Sequence, residues 1–199
     1  MKNRTKYQKY VQDRTRLKYY RGLLSRWFSN ISYSYARFVA RTNGAHIGEG
    51  VIMPLSLAKI LNSNCTIGNH VSIQTDKIDV RASLKIGNNV IIGKGTEIIT
   101  GSHNIDSPDW EYKQYGLEIE DYVWLPTNIL VLPSCRKIGY GAVVGSGSVV
   151  VRNIEPMSVV SGNPAKEFKK RKCVHTNLIV ESLLHGDYKI FRKTYESKD

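Results

Sequence analysis

One histidine occupies a position from which a side chain could do acid–base chemistry. Of the five histidines, His103 alone opens a polar, aromatic segment, Gly101 to Gly116, that breaks the pattern around it. Imidazole suits a general base because its unperturbed pKa is about 6.5. The ring then needs an acceptor on its other nitrogen to fix one tautomer. Asn104, Asp106, Asp109 and a backbone carbonyl are candidates for that acceptor, and the sequence does not choose among them.

The three cysteines predict no second chemistry. Cys65, Cys135 and Cys173 form no close pair, and their odd number argues against a disulfide framework or a Cys-x-x-Cys metal site. The basic N-terminus is not followed by the apolar run of a signal peptide, and no apolar stretch is long enough to span a bilayer. We therefore expect a protein of the reducing cytoplasm.

The elements that must position His103 follow from an internal repeat. Aliphatic residues recur at six-residue spacing in several consecutive runs, often with glycine next, as in Ile67-Gly68 and Ile86-Gly87. The positions are Ile47, Met53, Ile67, Ile73, Ile86, Ile92, Ile98, Ile119, Leu125, Val131, Ile138, Val144 and Val150.

A period of six fits neither a helix nor a flat strand, but it fits a coil with three short sides. Each side buries one aliphatic residue, and glycine supplies backbone freedom at the corners. Asn69, Asn88 and Asn89 suit those corners because asparagine tolerates left-handed dihedral angles. The alternative, a β-sandwich, would place its turns every eight to twelve residues.

The breaks in the repeat divide the chain. Residues 44–165 are predicted to form the coil, with one distorted turn between Met53 and Cys65. Residues 101–116 should leave it as a loop, and 166–199 should form a basic tail of helical or irregular structure.

Residues 1–43 are predicted to be a basic amphipathic helical segment. Eleven Lys and Arg against one acid give residues 1–41 a net charge of +10, whereas residues 42–165 carry −2 and 166–199 carry +4. The apolar residues from Leu17 to Phe38 recur every three or four positions. Either this stripe packs on the open end of the coil, or it lies on an anionic inner-membrane surface.

Residues 44–171 resemble the hexapeptide-repeat acyltransferases, which fold as left-handed parallel β-helices. The resemblance is nearest to the branch that acetylates sugars of capsule, exopolysaccharide or lipopolysaccharide. It rests on Gly101-Ser102-His103, on Asp121-Tyr122-Val123-Trp124, and on Gly145 to Val150 followed by Gly162-Asn163-Pro164-Ala165-Lys166.

The resemblance implies acetyl transfer from acetyl-CoA to a sugar hydroxyl, with His103 as general base and the Thr127 N–H as oxyanion donor. The family usually has glycine where this chain has Pro126, which puts the local corner geometry in doubt. Contacts to coenzyme A, the carrier of the acetyl group, are expected from Trp124, Gly145, Ser146, Arg152 and Lys166. Contacts to the acceptor are expected from Asn104, Asp106 and Trp110.

The same resemblance implies a homotrimer whose active site lies between neighbouring coils. The acceptor would be a sugar, a nucleotide sugar or a lipid-linked saccharide, and the open alternative is an amine. A zinc site of the γ-carbonic-anhydrase kind is not expected, because no two histidines are spaced His-x4-His and position 108 is proline. A non-catalytic scaffold and a nucleic-acid binder are weaker alternatives, the latter because the positive charge is confined to the ends.

Overall fold

The computed structural model describes residues 4–198, and its centre is a parallel β-helix with three faces. Face A contains β1 (His46–Ile47), β2 (Cys65–Ile67), β4 (Leu84–Ile86), β9 (Leu117–Ile119) and β12 (Lys137–Ile138). Face B contains β3 (Ser72–Ile73), β5 (Ile91–Ile92), β10 (Trp124–Leu125), β13 (Val143–Val144), β15 (Ser158–Gly162) and β16 (Ala165–Lys170). Face C contains β6 (Glu97–Ile98), β11 (Leu130–Val131) and β14 (Val149–Val150).

The predicted repeat positions form the core of this coil. All thirteen are buried, and successive turns stack equivalent residues, as in the parallel pairs Ile47–Ile67 and Ile67–Ile86. Each aliphatic side chain therefore packs on the same position of the turns above and below it. The prediction of a parallel β-helix with a six-residue period is confirmed.

The corners between faces A and B correct one part of that prediction. Of the three asparagines, only Asn89 is left-handed, with φ of 56°. The side chain of Asn69 instead accepts a hydrogen bond from the Glu49 N–H, and that of Asn88 accepts one from the Asn69 N–H. A Cβ on Gly68 would lie 2.8 Å from the Asn88 Oδ1, so glycine is needed there for close approach.

The irregular stretch after Met53 contains a short helix, α3 (Leu55–Ile60), which replaces the face C strand of the first turn. Leu57 and Ala58 of this helix are fully buried in the coil core. The first turn is thus closed by a helix.

Two helices precede the coil, α1 (Lys6–Gln12) and α2 (Arg16–Thr42). Ala36 and Ala40 of α2 belong to the coil core. Arg37 donates a hydrogen bond to the Val51 carbonyl, and Arg41 donates to the Ile47 and Gly48 carbonyls. Elsewhere the turn below satisfies such carbonyls, as when the Gly48 N–H donates to Ile67. α2 therefore caps the first turn.

The apolar stripe of α2 does not make this cap, so the packing alternative was wrong about which face is used. Its side chains are exposed, Leu17 by 72% and Phe38 by 61%. The apolar stripe is Leu17, Tyr20, Leu24, Trp27, Phe28, Ile31, Tyr35 and Phe38.

The C-terminal residues return to the N-terminal end of the coil. A 3₁₀ helix (Val180–Leu184) and α4 (Tyr188–Glu196) follow β16, and α4 packs on α1 and α2. The terminal cluster, defined here as α1, α2, the 3₁₀ helix and α4, encloses a buried ion pair in which the Arg26 Nε lies 2.8 Å from Asp187. The sheet also extends beyond the predicted boundary at residue 165, because β16 pairs antiparallel with β15 as far as Lys170.

Among the described residues, no helix combines the length and the hydrophobicity needed to cross a bilayer.

Candidate active site

The segment that begins at His103 leaves the coil as an antiparallel hairpin. Strands β7 (Gly101–His103) and β8 (Tyr112–Gln114) pair so that His103 lies opposite Tyr112. Ile86 pairs with Ile119 across thirty-three residues, whereas Ile67 pairs with Ile86 across nineteen. The hairpin is thus an insertion between face C of one turn and face A of the next.

The ring of His103 is held by a backbone carbonyl. Its Nδ1 lies 2.5 Å from the Trp110 carbonyl oxygen, so Nδ1 is the protonated donor and Nε2 carries the lone pair. Trp110 has a left-handed φ of 53°, a conformation that costs energy for a tryptophan and brings this carbonyl to the imidazole. Tyr112 packs edge-on against His103, with ring centroids 5.3 Å apart. The exposed imidazole therefore presents Nε2 as a base.

A buttress at the hairpin base escaped the sequence reasoning. The Asp79 carboxylate accepts hydrogen bonds from the Arg81 Nε at 2.8 Å and from the Thr100 N–H at 3.2 Å. Burial alone would raise the pKa of Asp79, but the hydrogen bonds from Arg81 and Thr100 outweigh it and lower that pKa to about 2. The Arg81 guanidinium also lies over the Tyr112 ring, 5.0 Å from its centroid. Asp79 and Arg81 thus brace the tyrosine that packs on His103.

The predicted acceptor residues lie on the hairpin tip. Asn104 accepts a hydrogen bond from the Asp106 N–H at 3.2 Å, which shapes the turn. The carboxylate of Asp106 has no ion pair within residues 4–198, and Trp110 is 64% exposed. Asp109 accepts a hydrogen bond from the Ser107 hydroxyl, which lowers the pKa of Asp109. None of these side chains contacts the His103 ring nitrogens.

Thr127 lies at the corner between faces B and C, and its N–H has no acceptor in the described part of the chain. Pro126 fits this corner because Gly93, one turn below, has no Cβ to collide with the Pro126 carbonyl. The Thr127 hydroxyl is 3.4 Å from the Ser146 hydroxyl in the next turn. The departure from the family pattern therefore leaves the Thr127 N–H available.

The predicted carrier residues follow the coil upward from this corner. Trp124 points outward from face B and is 47% exposed, and Gly145 lies one turn above Pro126. Arg152 and Lys166 line one cleft in the last turn, together with Asn153 and Glu167. Lys166 stands at the turn between β15 and β16, where it pairs with Ser161 and the Asn163–Pro164 peptide is cis.

One chain does not bring all these groups together. His103 follows face C, whereas Thr127 precedes it, so a whole face of the coil lies between them. At about 3.3 Å per residue, a strand with its corners spans on the order of 15 Å. His103 could not reach a thioester held at the Thr127 N–H of its own chain without large movement of the hairpin.

Comparison with known proteins finds relatives that are acetyltransferases. No protein family model matches the chain. A protein of Escherichia coli provisionally named as the colanic acid biosynthesis acetyltransferase WcaF is 28% identical over 146 residues, 73% of this chain and 80% of that protein. Galactoside O-acetyltransferase of Lactococcus lactis is 29% identical over 159 residues, 74% of this chain and 66% of that one. A Schizosaccharomyces pombe protein provisionally named as an acetyltransferase is 35% identical over 115 residues.

The solved structures agree on the fold. The hexapeptide-repeat acetyltransferase VCA0836 of Vibrio cholerae superposes with a TM-score of 0.59 at 22% identity, covering 85% of this chain and 95% of that one. Its complex with acetyl-CoA superposes with a TM-score of 0.54 at 24% identity, covering 83% and 89%. The chain is therefore similar to hexapeptide-repeat acetyltransferases over most of its length and shares their fold.

These similarities agree with the prediction of an acyltransferase that takes acetyl-CoA as co-substrate. The alignments cover different shares of the relatives' own lengths. The chain spans about half the length of the S. pombe protein, 48%, but four fifths of the E. coli one, 80%.

Proposed function

We propose that this chain transfers the acetyl group of acetyl-CoA to a hydroxyl of a saccharide in the synthesis of surface polysaccharide, capsule or lipopolysaccharide. The observation that carries the proposal is the hydrogen bond between the His103 Nδ1 and the Trp110 carbonyl, which leaves Nε2 as an exposed base. The sugar acetyltransferases among the relatives support a saccharide acceptor, and the VCA0836 complex supports the co-substrate.

In this mechanism, the acceptor hydroxyl attacks the thioester carbonyl while His103 Nε2 takes its proton. The Thr127 N–H stabilises the oxyanion of the tetrahedral intermediate, because this N–H has no acceptor within residues 4–198. A C–O bond forms, the C–S bond breaks, and the imidazolium returns the proton to the CoA sulfur. Asn104, Asp106 and Trp110 on the hairpin tip would orient the saccharide.

The carrier would run along the exposed side of the coil. Trp124 offers an apolar surface for the pantetheine arm, and Gly145 and Ser146 allow it to lie close to the backbone. Arg152 and Lys166, which share one cleft, would bind phosphate and the nucleotide end. Since His103 stands on the far side of face C, the working site would combine His103 of one chain with Thr127 and Trp124 of a neighbour in a homotrimer.

The outer surfaces of the coil support this assembly. Face A presents the charged side chains Lys85, Glu118 and Lys137, with Lys137 close to Glu118 and Glu120. Face B presents Ile91, Trp124 and Val143 at the equivalent positions. The apolar face suits contact with a neighbouring subunit, whereas the charged one suits water.

Subunit mixing tests the shared site. His103→Ala and Trp124→Ala chains, each weakly active, are unfolded together in equal amounts and refolded. If the site is shared, about a third of the sites in mixed trimers, or about a quarter of all sites, combine two intact halves, and activity rises well above either parent. Activity no higher than the mean of the parents would place both residues in one chain's site, and an active monomer would exclude the trimer.

The acceptor is tested by mass spectrometry of nucleotide sugars and oligosaccharides incubated with acetyl-CoA and the enzyme. We expect a product that carries one more acetyl group and loses it in mild alkali, as an ester does. A product stable to alkali would make the acceptor an amine. Acetyl-CoA binding without transfer to either class would make the chain a scaffold.

A further inference from the structure

The helix α2 carries an apolar face that none of the described residues covers. The eight side chains of the apolar stripe recur every three or four residues, so they share one side of the helix. They are exposed by amounts from 44% for Trp27 to 72% for Leu17. From Leu17 to Phe38 the stripe is about 30 Å long.

The opposite side of α2 packs against the rest of the chain. Tyr19 and Arg26 are buried against the C-terminal helix, where Tyr19 stacks on Tyr195 and Arg26 pairs with Asp187. Ala36 and Ala40 are buried in the coil core. The stripe is therefore surplus to the packing of this chain, and an exposed apolar surface of this length marks an interaction site.

The composition of the stripe indicates what it meets. Five of its eight members are aromatic, namely Tyr20, Trp27, Phe28, Tyr35 and Phe38. Tryptophan and tyrosine concentrate where lipid acyl chains meet headgroups, because one part of each side chain is apolar and another is polar.

The charge carried by α1 and α2 is almost entirely positive. Residues 4–42 contain ten Lys and Arg and one acid, Asp13, which pairs with Arg4. The helix α2 contains no acid. Arg21 lies beside the stripe, four residues after Leu17 and three before Leu24.

This charge decides between two occupants. Pairing α2 with the α2 of another copy would bring two positive surfaces together with no acid to compensate. An anionic bilayer would neutralise them and would also bury the apolar side chains. We infer that α2 docks the protein on an anionic lipid surface, with the apolar stripe in the headgroup region and the coil on the aqueous side.

Flotation of the full-length protein with vesicles tests the inference. The wild type should float with vesicles of phosphatidylcholine and phosphatidylglycerol at low salt, and not with phosphatidylcholine alone or at high salt. Trp27→Ser with Phe28→Ser should lower the partition coefficient at least about tenfold. Phe168→Ser is the matched control, because Phe168 is an equally exposed aromatic on β16, and it should bind as the wild type does.

The depth of Trp27 in the bilayer is tested by fluorescence quenching with lipids brominated in the acyl chains. Quenching should be lost in Trp27→Phe and retained in Trp124→Phe. Failure of the wild type to float, or equal flotation of the stripe variant, would overturn the inference.

Light scattering tests the remaining alternative, in which the stripe binds a second copy of this chain. An unchanged assembly mass in the stripe variant supports lipid docking, whereas a smaller mass would assign the stripe to a second copy. Acetyl transfer to a soluble acceptor should be unaffected by the stripe variant, so failure of this inference leaves the proposed function standing.

Discussion

The coil and the terminal cluster are stabilised in different ways. In the coil, each turn repeats the same backbone hydrogen bonds and the same buried aliphatic residues, so its stability is spread over many equivalent contacts. The terminal cluster has a small apolar centre of Val11, Tyr19 and Phe191 beside the buried pair Arg26–Asp187. Its stability is concentrated in a few groups that are far apart in the sequence.

The two regions also divide the proposed tasks. The groups assigned to chemistry lie on the corners of the coil and on its hairpin, and the group assigned to docking lies in the terminal cluster. If this division is correct, substitutions in one region should leave the property of the other unchanged.

The largest expected effect is on turnover. His103→Ala should lower the rate of acetyl transfer by about 10² to 10⁴, because a positioned base is lost. Vesicle flotation and acetyl-CoA affinity should not change. His46→Ala, an exposed histidine on β1, is the control and should keep full activity. A variant within threefold of wild type would remove His103 from the mechanism.

The next effect is on the stability of the terminal cluster. Asp187→Ala leaves the Arg26 charge buried, 2% exposed, without a carboxylate and takes the acceptor from the Tyr7 hydroxyl. This should cost about 3–5 kcal/mol, whereas loss of the exposed Arg4–Asp13 pair in Asp13→Ala should cost about 0–1 kcal/mol.

Hydrogen exchange distinguishes where that stability is lost. In Asp187→Ala, amides of α1, α2 and α4 should exchange faster while those of β9 to β13 keep their protection. Equal loss in the coil strands would show that the two regions unfold as one unit.

A smaller effect concerns the carrier. Arg152→Ala should raise the acetyl-CoA KM roughly tenfold and change kcat little, because a remote phosphate contact is equal in ground and transition states. With acetyl-pantetheine, which lacks the nucleotide, the variant and the wild type should have the same KM. Lys85→Ala on face A controls for loss of a positive charge, and an unchanged KM in Arg152→Ala would place the phosphate elsewhere.

The smallest effect is the pH response of the hairpin base. The pKa of Asp79 is about 2 in the folded chain against an ordinary 3.8. A lowered folded pKa stabilises the fold above the ordinary value, and that stability is lost as the pH falls from about 4 to about 2. The protection factor of the Thr100 amide, which compares its exchange rate with that of an unprotected amide at the same pH, should therefore fall over this range in the wild type. In Asp79→Asn, the protection factor should be low and should not change between about pH 4 and about pH 2, and a matching response there would assign it to another group.

Much of the coil could be predicted because equivalent contacts recur at a regular spacing in the sequence. Ile67-Gly68-Asn69 repeats nearly the same environment as Ile86-Gly87-Asn88 one turn later, so spacing alone identifies the buried positions. The prediction that corner residues are chosen for left-handed dihedral angles was incomplete. The repeat shows that a small residue is needed at a corner, but it does not show whether a dihedral angle or a close approach between turns requires it.

The terminal cluster and the tautomer of His103 could not be predicted in the same way. Arg26 and Asp187 are 161 positions apart, and no periodicity links them. The carbonyl that orients His103 depends on the backbone of Trp110, which any residue type could supply. In α2 the periodicity identified the apolar stripe, but the small side chains of Ala36 and Ala40 gave no sign that they would form the buried face.

The guanidinium groups of Arg37 and Arg41 have a further consequence for how copies of this chain coexist. A parallel coil offers unpaired N–H and carbonyl groups at both its first and its last turn, and such ends could stack into an open filament. Arg37 and Arg41 occupy three carbonyls of the first turn, and at the other end β16 pairs antiparallel with β15 and carries Lys166, Lys169 and Lys170. The coil thus has a fixed length, and its capped ends disfavour stacking of another copy. Crowding in a cell should therefore not drive end-to-end fibres.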